Sequence, residues 1–407
     1  MTRDDAIWIT GVGATTSLGN DFAHISAGLL AGQTEIRPVE GFSVADHPCQ
    51  IANQLTMPEC PNELESSQYD SKDPLRQCAL WCSVQALKDA GIWDQRDRLR
   101  VGLILGFAAE WMSHWDTDWR RGGALIIDSE VNHPPTVDAV SQILQLDGPV
   151  MSVAAACASG NHALAQASNW LRMGWVDVCL AGACDVGVTP CSLASFGNLR
   201  ALSRRNESPA AAVRPFDCDR DGMVLGEGGA IFVLERADRA RARRSAAYAE
   251  VAGVGLTSDA HHLVIPDATS KQAIVAMRQA LAVAQVNADE IDYINAHATG
   301  TQVGDACEAR MLQTVLAGNC AKVPVSSTKS MTGHLLSAAA AIEALACMAA
   351  ITYGAIPPTI NLDRPDPQCE LCHVANTARE HPVRVAISNS FGFGGHNTSL
   401  VLRAVNS

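Results

Sequence analysis

Several features that would assign a class at once are missing from this sequence. There is no uninterrupted apolar run long enough to span a bilayer. There is no basic excess: 30 Lys and Arg stand against 43 Asp and Glu, a formal net charge of -13. So acidic a chain argues against nucleic acid as the main partner. No stretch is polar and apolar-poor enough to stay disordered. The N-terminus, M-T-R-D-D-A-I-W-I-T, sets two acids ahead of a strand pattern and lacks the layout of a signal peptide. The expectation is a cytoplasmic protein with no membrane span. A second CxxC is absent too, so Cys369-Glu370-Leu371-Cys372-His373 stands alone and does not read as a zinc site. The remaining cysteines of the 14 are scattered, as expected for reduced and mostly buried thiols. The glycines after Ile7–Val12, in G-V-G-A-T-T-S-L-G, read as a turn but lack the G-x-G-x-x-G spacing of a dinucleotide loop.

What is present is a long, apolar, alternating pattern. With 407 residues and 47% hydrophobic content the chain can bury two or three domain-sized units. Buried-type strands such as Val101–Leu105, Val176–Cys184 and Ile291–Asn295 alternate with helical periodicities at Phe22–Leu30, Pro74–Ala90 and Lys271–Ala284. Ala249–Gly255 restarts the rhythm of Ile7–Gly13. The fold class is therefore α/β with a duplicated βα core, divided into residues 1–247 and 248–407.

Val153–Asn161, V-A-A-A-C-A-S-G-N, reads as strand, tight turn and helix with Cys157 in the turn. A thiol there feels the positive end of the helix dipole, which favours the thiolate, and free backbone N–H groups nearby suit an oxyanion. By itself such a cysteine is equally well a small core hydrophobe. Three further reactive stretches close later strands: N-A-H-A-T-G-T with His297, S-S-T-K-S-M-T-G-H with Lys329 and His334, and S-F-G-F-G-G-H. Open α/β sheets place their sites at such strand ends.

These motifs, in this order and with F-D-C-D-R-D-G-M-V-L-G-E-G between them, resemble the beta-ketoacyl-acyl-carrier-protein synthases, the condensing enzymes of fatty-acid and polyketide synthesis. The resemblance covers nearly the whole chain. It implies a thiolase-type fold, two similar halves stacked in alternating helix and sheet layers, in a dimer. It also implies an acyltransferase reaction, the decarboxylative condensation of an acyl-enzyme with malonyl-acyl-carrier protein. Cys157 would carry the acyl group. His297 and His334 would donate to the malonyl thioester carbonyl, and Lys329 would orient them, paired with Glu343. The Cys157 and Phe393 N–H groups would form the oxyanion hole, with Phe391 and Phe393 as the gate. Thr299 and Thr301 would contact the pantetheine arm. No resident cofactor is implied, because phosphopantetheine arrives on the carrier protein; some members hold a structural monovalent cation near the lysine. Arg200, Arg204 and Arg205, in a basic loop with Arg214, match the docking surface for an acidic carrier, or are a solvated loop.

The stretch from Gly106 to His133 departs from the usual housekeeping enzyme. It is shortened and carries Trp111, Trp115 and Trp119 on one helical stripe, beside Arg120-Arg121. That stripe reads as packing, in a core or subunit interface, or as the wall of a long apolar pocket. Acyl length, carrier, and homodimer against heterodimer stay open. A non-catalytic chain-length-factor subunit typically lacks the cysteine that this chain has. A thiolase would need a second cysteine near the C-terminus, where this chain has S-F-G-F-G-G-H. A Cys-His hydrolase would not need Lys329 and His334 in one tight motif.

Overall fold

The computed structural model describes residues 5–69, 73–108, 110, 112–120, 122–123 and 135–405. In chain order the first half contains β1 (Ile7–Thr16), α1 (Phe22–Leu30), α2 (Pro74–Asp89), β2 (Val101–Gly106), α3 (Met112–Arg120), α4 (Thr136–Leu144), β3 (Val150–Val153), α5 (Ser159–Arg172), β4 (Val178–Asp185), α6 (Pro190–Asn198) and β5 (Gly228–Arg236). The second contains β6 (Ala249–Ser258), α7 (Lys271–Ala284), β7 (Tyr293–Asn295), α8 (Gln302–Leu316), β8 (Pro324–Ser326), α9 (Ala339–Tyr353), β9 (Val385–Gly392) and β10 (His396–Arg403).

The strands run in the order β3-β2-β4-β5-β1 and then β6-β10-β9-β7-β8, with the short strand Cys372–His373 at the far edge. Numbered within each half, both read 3-2-4-5-1 outward-in, so the duplication is one of topology. The halves join where β1 meets β6, through Trp8↔Glu250 and Ile9↔Ala249. Helices α5 and α9 pack against strands of both halves, and α2 and α7 cover strands of one half each. These are the alternating helix and sheet layers of the thiolase fold.

Helix α9 with its leading turn, Leu336–Tyr353, is apolar enough at mean hydropathy 1.6 to pass a test for a membrane span by length and composition. Ala339–Ala350 are all buried, with Glu343 among them. This is the middle layer of a sandwich, where a helix is apolar on all sides.

The glycines of β1 are not a turn. The strand continues to Thr16, and Gly11 and Gly13 lie under α2: a Cβ on Gly13 would stand 1.9 Å from the Cys82 carbonyl oxygen. Gly253 and Gly255 do the same in β6, where a Cβ on Gly255 would stand 1.8 Å from the Ala276 oxygen of α7. Both pairs exist so that a helix backbone can touch a strand backbone. Helix α6 adds an element between β4 and β5. It is held by a capping box from Thr189 and Ser192 and by Pro190 in its first turn.

Candidate active site

Four chain segments meet above the strand ends. The first is the turn after β3. Ala156 is held at φ +48, an unusual conformation for a residue with a side chain, and Cys157 sits in a single 3-10 turn that feeds α5. The Ser159 hydroxyl accepts from Ala155 N–H and donates to Ala156 O, which fixes that turn. The second segment follows β7 and carries His297. Its shape is set from α8: Glu308 accepts from the N–H groups of His297 and Ala298 at 2.9 and 2.7 Å, and Asp305 accepts from Gly300 N–H.

The third segment follows β8 through the turn Lys329–Thr332 and Gly333, at φ +68, to His334. The G-M-V-L-G-E-G stretch clamps it: His334 N–H donates to Val224 O, and Gly226 N–H donates to His334 O. The fourth is the hairpin between β9 and β10. A Cβ at Gly392 would stand 2.5 Å from Ala155 O, so only glycine lets this hairpin rest on the cysteine turn.

The side chains converge as the sequence implies. His334 Nε2 lies 3.0 Å from Cys157 Sγ. Lys329 Nζ lies 3.3 Å from His297 Nδ1 and is hydrogen-bonded to Glu343, whose other oxygen accepts from Ser390 Oγ at 3.0 Å. The two imidazoles meet edge to face at 5.4 Å, and Phe391 closes over His297 at 5.8 Å. A lysine ammonium only donates. Its contact therefore makes His297 Nδ1 the acceptor and places that ring's proton on Nε2.

The electrostatics run against one expectation. The helix end was expected to favour the thiolate. Burial instead pushes the Cys157 thiol up to about 12, although Lys329 and the Phe393 N–H pull it down. Burial and Lys329 also hold both histidines well below the usual imidazole range. The substrate-free site is thus a neutral thiol donating to a neutral His334. Burial raises Glu343 as well, opposed by Lys329 and Ser390. It raises Glu308 to about 8, against the two N–H groups that favour its charged form.

A cavity of about 590 Å³ opens onto this cluster. Its walls include Cys157, His297 and His334 together with Thr299, Thr301, Phe391, Phe393 and Arg200. Lys329 and Glu343 lie behind the histidines. Arg200 and Arg204 are exposed. Arg205 donates to Asp219 O at 2.6 Å. Arg214 leaves the basic loop altogether: it is buried against Asp217 and Asp363 and ties the halves together.

Trp115 and Trp119 neither pack into the core of the chain nor line the cavity. Trp115 and Trp119 are 57% and 81% exposed, and Trp111 lies outside the described residues, as does Arg121. The stretch still reaches the cavity, through Phe107, Glu110 and Met112.

The sequence reading passed over Glu308, Ser390 and Phe196, whose ring lies 6.2 Å from that of Phe393. For Glu308 a signal existed, an acid between apolar neighbours on α8. For the other two, nothing local marks the contact.

Two family profiles match the chain: beta-ketoacyl synthase, N-terminal domain, over residues 4–240, and beta-ketoacyl synthase, C-terminal domain, over residues 248–363. A 3-oxoacyl-(acyl-carrier-protein) synthase 2 of Coxiella burnetii is 36% identical over 406 residues, 98% of this chain and 98% of the relative. Among solved structures, a type II PKS acyl-carrier protein in complex with its ketosynthase bound to the hexaketide superposes with a TM-score of 0.89 at 29% identity, covering 98% of this chain and 99% of that one. The ishigamide ketosynthase/chain length factor superposes with a TM-score of 0.88 at 31% identity, covering 98% and 99%.

Proposed function

Since the chain belongs to the beta-ketoacyl synthase family, we propose that its own Cys157, His297, His334 and Lys329 carry out the condensation that defines such acyltransferases in fatty-acid or polyketide synthesis. The observation that carries this reading is the Cys157–His334 contact at 3.0 Å beside a His297 whose proton is fixed by Lys329.

In the first half-reaction the Cys157 sulfur attacks the acyl thioester and its proton passes to His334 Nε2. The carrier thiolate leaves and takes that proton. The tetrahedral oxyanion lies beside the Cys157 and Phe393 N–H groups. Once acylated, the sulfur has no proton to give. His334 then meets an acceptor instead, and the tautomer with its proton on Nε2 becomes the useful one. His297 and His334 donate to the malonyl thioester carbonyl as carbon dioxide departs and charge gathers on that oxygen. The enolate carbon attacks the acyl-Cys157 carbonyl, and the C–S bond breaks to return the cysteine and release the beta-ketoacyl carrier. Thr299 and Thr301, 3.1 Å apart at the cavity wall, face the arm that brings both substrates.

The test is intact mass after incubation with a panel of acyl-carrier thioesters, with and without malonyl-carrier, beside Cys157→Ala. The expected result is an acyl adduct that needs Cys157, discharged as a product two carbons longer. No adduct from any thioester would sink the reading of an active subunit.

For the carrier, the proposed docking surface is Arg200 on the cavity wall with Arg204 and Arg205 beyond it, where Asp221 pairs with Arg205 at 3.7 Å and softens its charge. Arg204→Glu should raise KM for carrier-bound substrates and leave kcat unchanged; an unchanged KM means the carrier docks elsewhere. For the assembly, the half-exposed edge strand β3 supports a second subunit, either a copy of this chain or a homologous partner. Native mass of the chain alone separates these from a monomer.

For the cation seen in some family members, the fitting donors are Asn295 Oδ1 and Ser388 Oγ. These buried oxygens lack hydrogen-bond partners among the described residues, on positions paired across β7 and β9. The reaction above takes no step through such an ion. The division at 247/248 also belongs to this proposal, supported by the repeated strand order on either side of it.

A further inference from the structure

Three thiols outside the reaction come together under α2. Cys78 and Cys82 are four residues apart on one face of that helix, and Cys184, next to last in strand β4, lies beside them. Their sulfur atoms all lie within 4.8 Å of one another, and all three residues are fully buried. The space is made by glycine. A Cβ at Gly229 would stand 2.4 Å from Cys184 Sγ, and Cys82 donates to the Gly229 carbonyl at 3.5 Å. Cys184 also lines the catalytic cavity, so the cluster is one residue away from solvent reaching the active site.

The donor set selects the ligand. Three sulfurs with no carboxylate or imidazole among them exclude hard ions and suit a soft one. All three belong to one apolar core cluster with Leu75, Leu105 and Phe107, and among the described residues no fourth ligand atom joins the group. A metal–sulfur bond of about 2.3 Å at the centre of an equilateral triangle requires sulfurs about 4 Å apart, inside the observed span. Structural zinc takes four ligands, whereas this group offers three sulfurs, so a soft ion content with three, Cu(I), fits it.

We propose that Cys78, Cys82 and Cys184 form a three-sulfur binding site for a monovalent soft metal ion, Cu(I) by its chemistry. Binding forms three metal–sulfur bonds, breaks the S–H bonds of the sulfurs that bind as thiolates with their protons passing to solvent, and transfers no electron. It ties α2 to the end of β4, beside the wall of the acyl cavity.

The experiment is an anaerobic titration of the full chain with Cu(I) held by the chromophoric chelator bicinchoninate. The wild type and Cys157→Ala should each withdraw one equivalent. Cys82→Ala, at a position that does not line the cavity, should lose at least the about 100-fold in affinity that even an outer-shell partner can cost. X-ray absorption on the loaded wild type should show three sulfur neighbours and no nitrogen. The proposal is overturned if no equivalent is withdrawn, or if Cys82→Ala binds as the wild type does. It is also overturned if Cys157→Ala alone loses the ion or nitrogen neighbours appear, since the ion would then sit on Cys157, His297 and His334, the other set of ligand atoms within 4.8 Å. The absorption measurement stands even if Cys82→Ala fails to fold.

Discussion

Substituting His297 by Ala is expected to lower the rate of condensation by about 10²- to 10³-fold, the cost of about 2.7–4 kcal/mol that follows loss of one donor to a developing oxyanion. Acylation of Cys157 should survive, because it is His334, not His297, that contacts the sulfur at 3.0 Å. His334→Ala should therefore slow both steps. Intact mass after acyl-carrier alone reads the first step, and formation of beta-ketoacyl product reads the second. If His297→Ala loses acylation as severely as His334→Ala does, the division of labour between the two histidines is wrong.

The second large effect is on stability. Lys329 and Glu343 are each 2% exposed in side-chain terms and pair in the middle layer of the molecule. Breaking such a pair from one side leaves an uncompensated buried charge, at about 3–5 kcal/mol. Glu343→Ala should lower the free energy of unfolding by that amount in urea. It also strips the Ser390 hydroxyl of its acceptor. A double replacement with apolar residues, Lys329→Met with Glu343→Leu, should recover most of the loss while remaining inactive. A Glu343→Ala protein within about 1 kcal/mol of wild type would show that water reaches the pair.

The four reactive motifs and several element boundaries were legible because each is local. Phe22–Leu30 and Lys271–Ala284 are helices where periodicity places them. What was not legible depends on partners far away in sequence. Gly11 and Gly13 look the same whether they make a turn or let Cys82 and Ala86 approach, and only α2 decides between them. Arg214 looks like its neighbours Arg204 and Arg205 until Asp363, far along the chain, is placed against it. Cys157 sits at a helix end as read, but the sign of its shift is set by how much is packed around it. Cys78, Cys82 and Cys184 look scattered because a helix and a distant strand bring them together.

The repeated strand order has a consequence for how the chemistry is shared. Cys157 lies between the third strand of the first half and the helix that follows, α5. Lys329 and His334 lie between the third strand of the second half and its helix, α9. These are equivalent positions in the two copies, and the helices touch where a Cβ on Gly160 would stand 2.7 Å from Ala341 N. A twofold-related pair of identical turns would set like against like, thiol facing thiol or cation facing cation. The site works because the copies have diverged at matching addresses, one into the electrophile's carrier and the other into the donors that make the nucleophile. Neither half, expressed alone, holds a complete reaction.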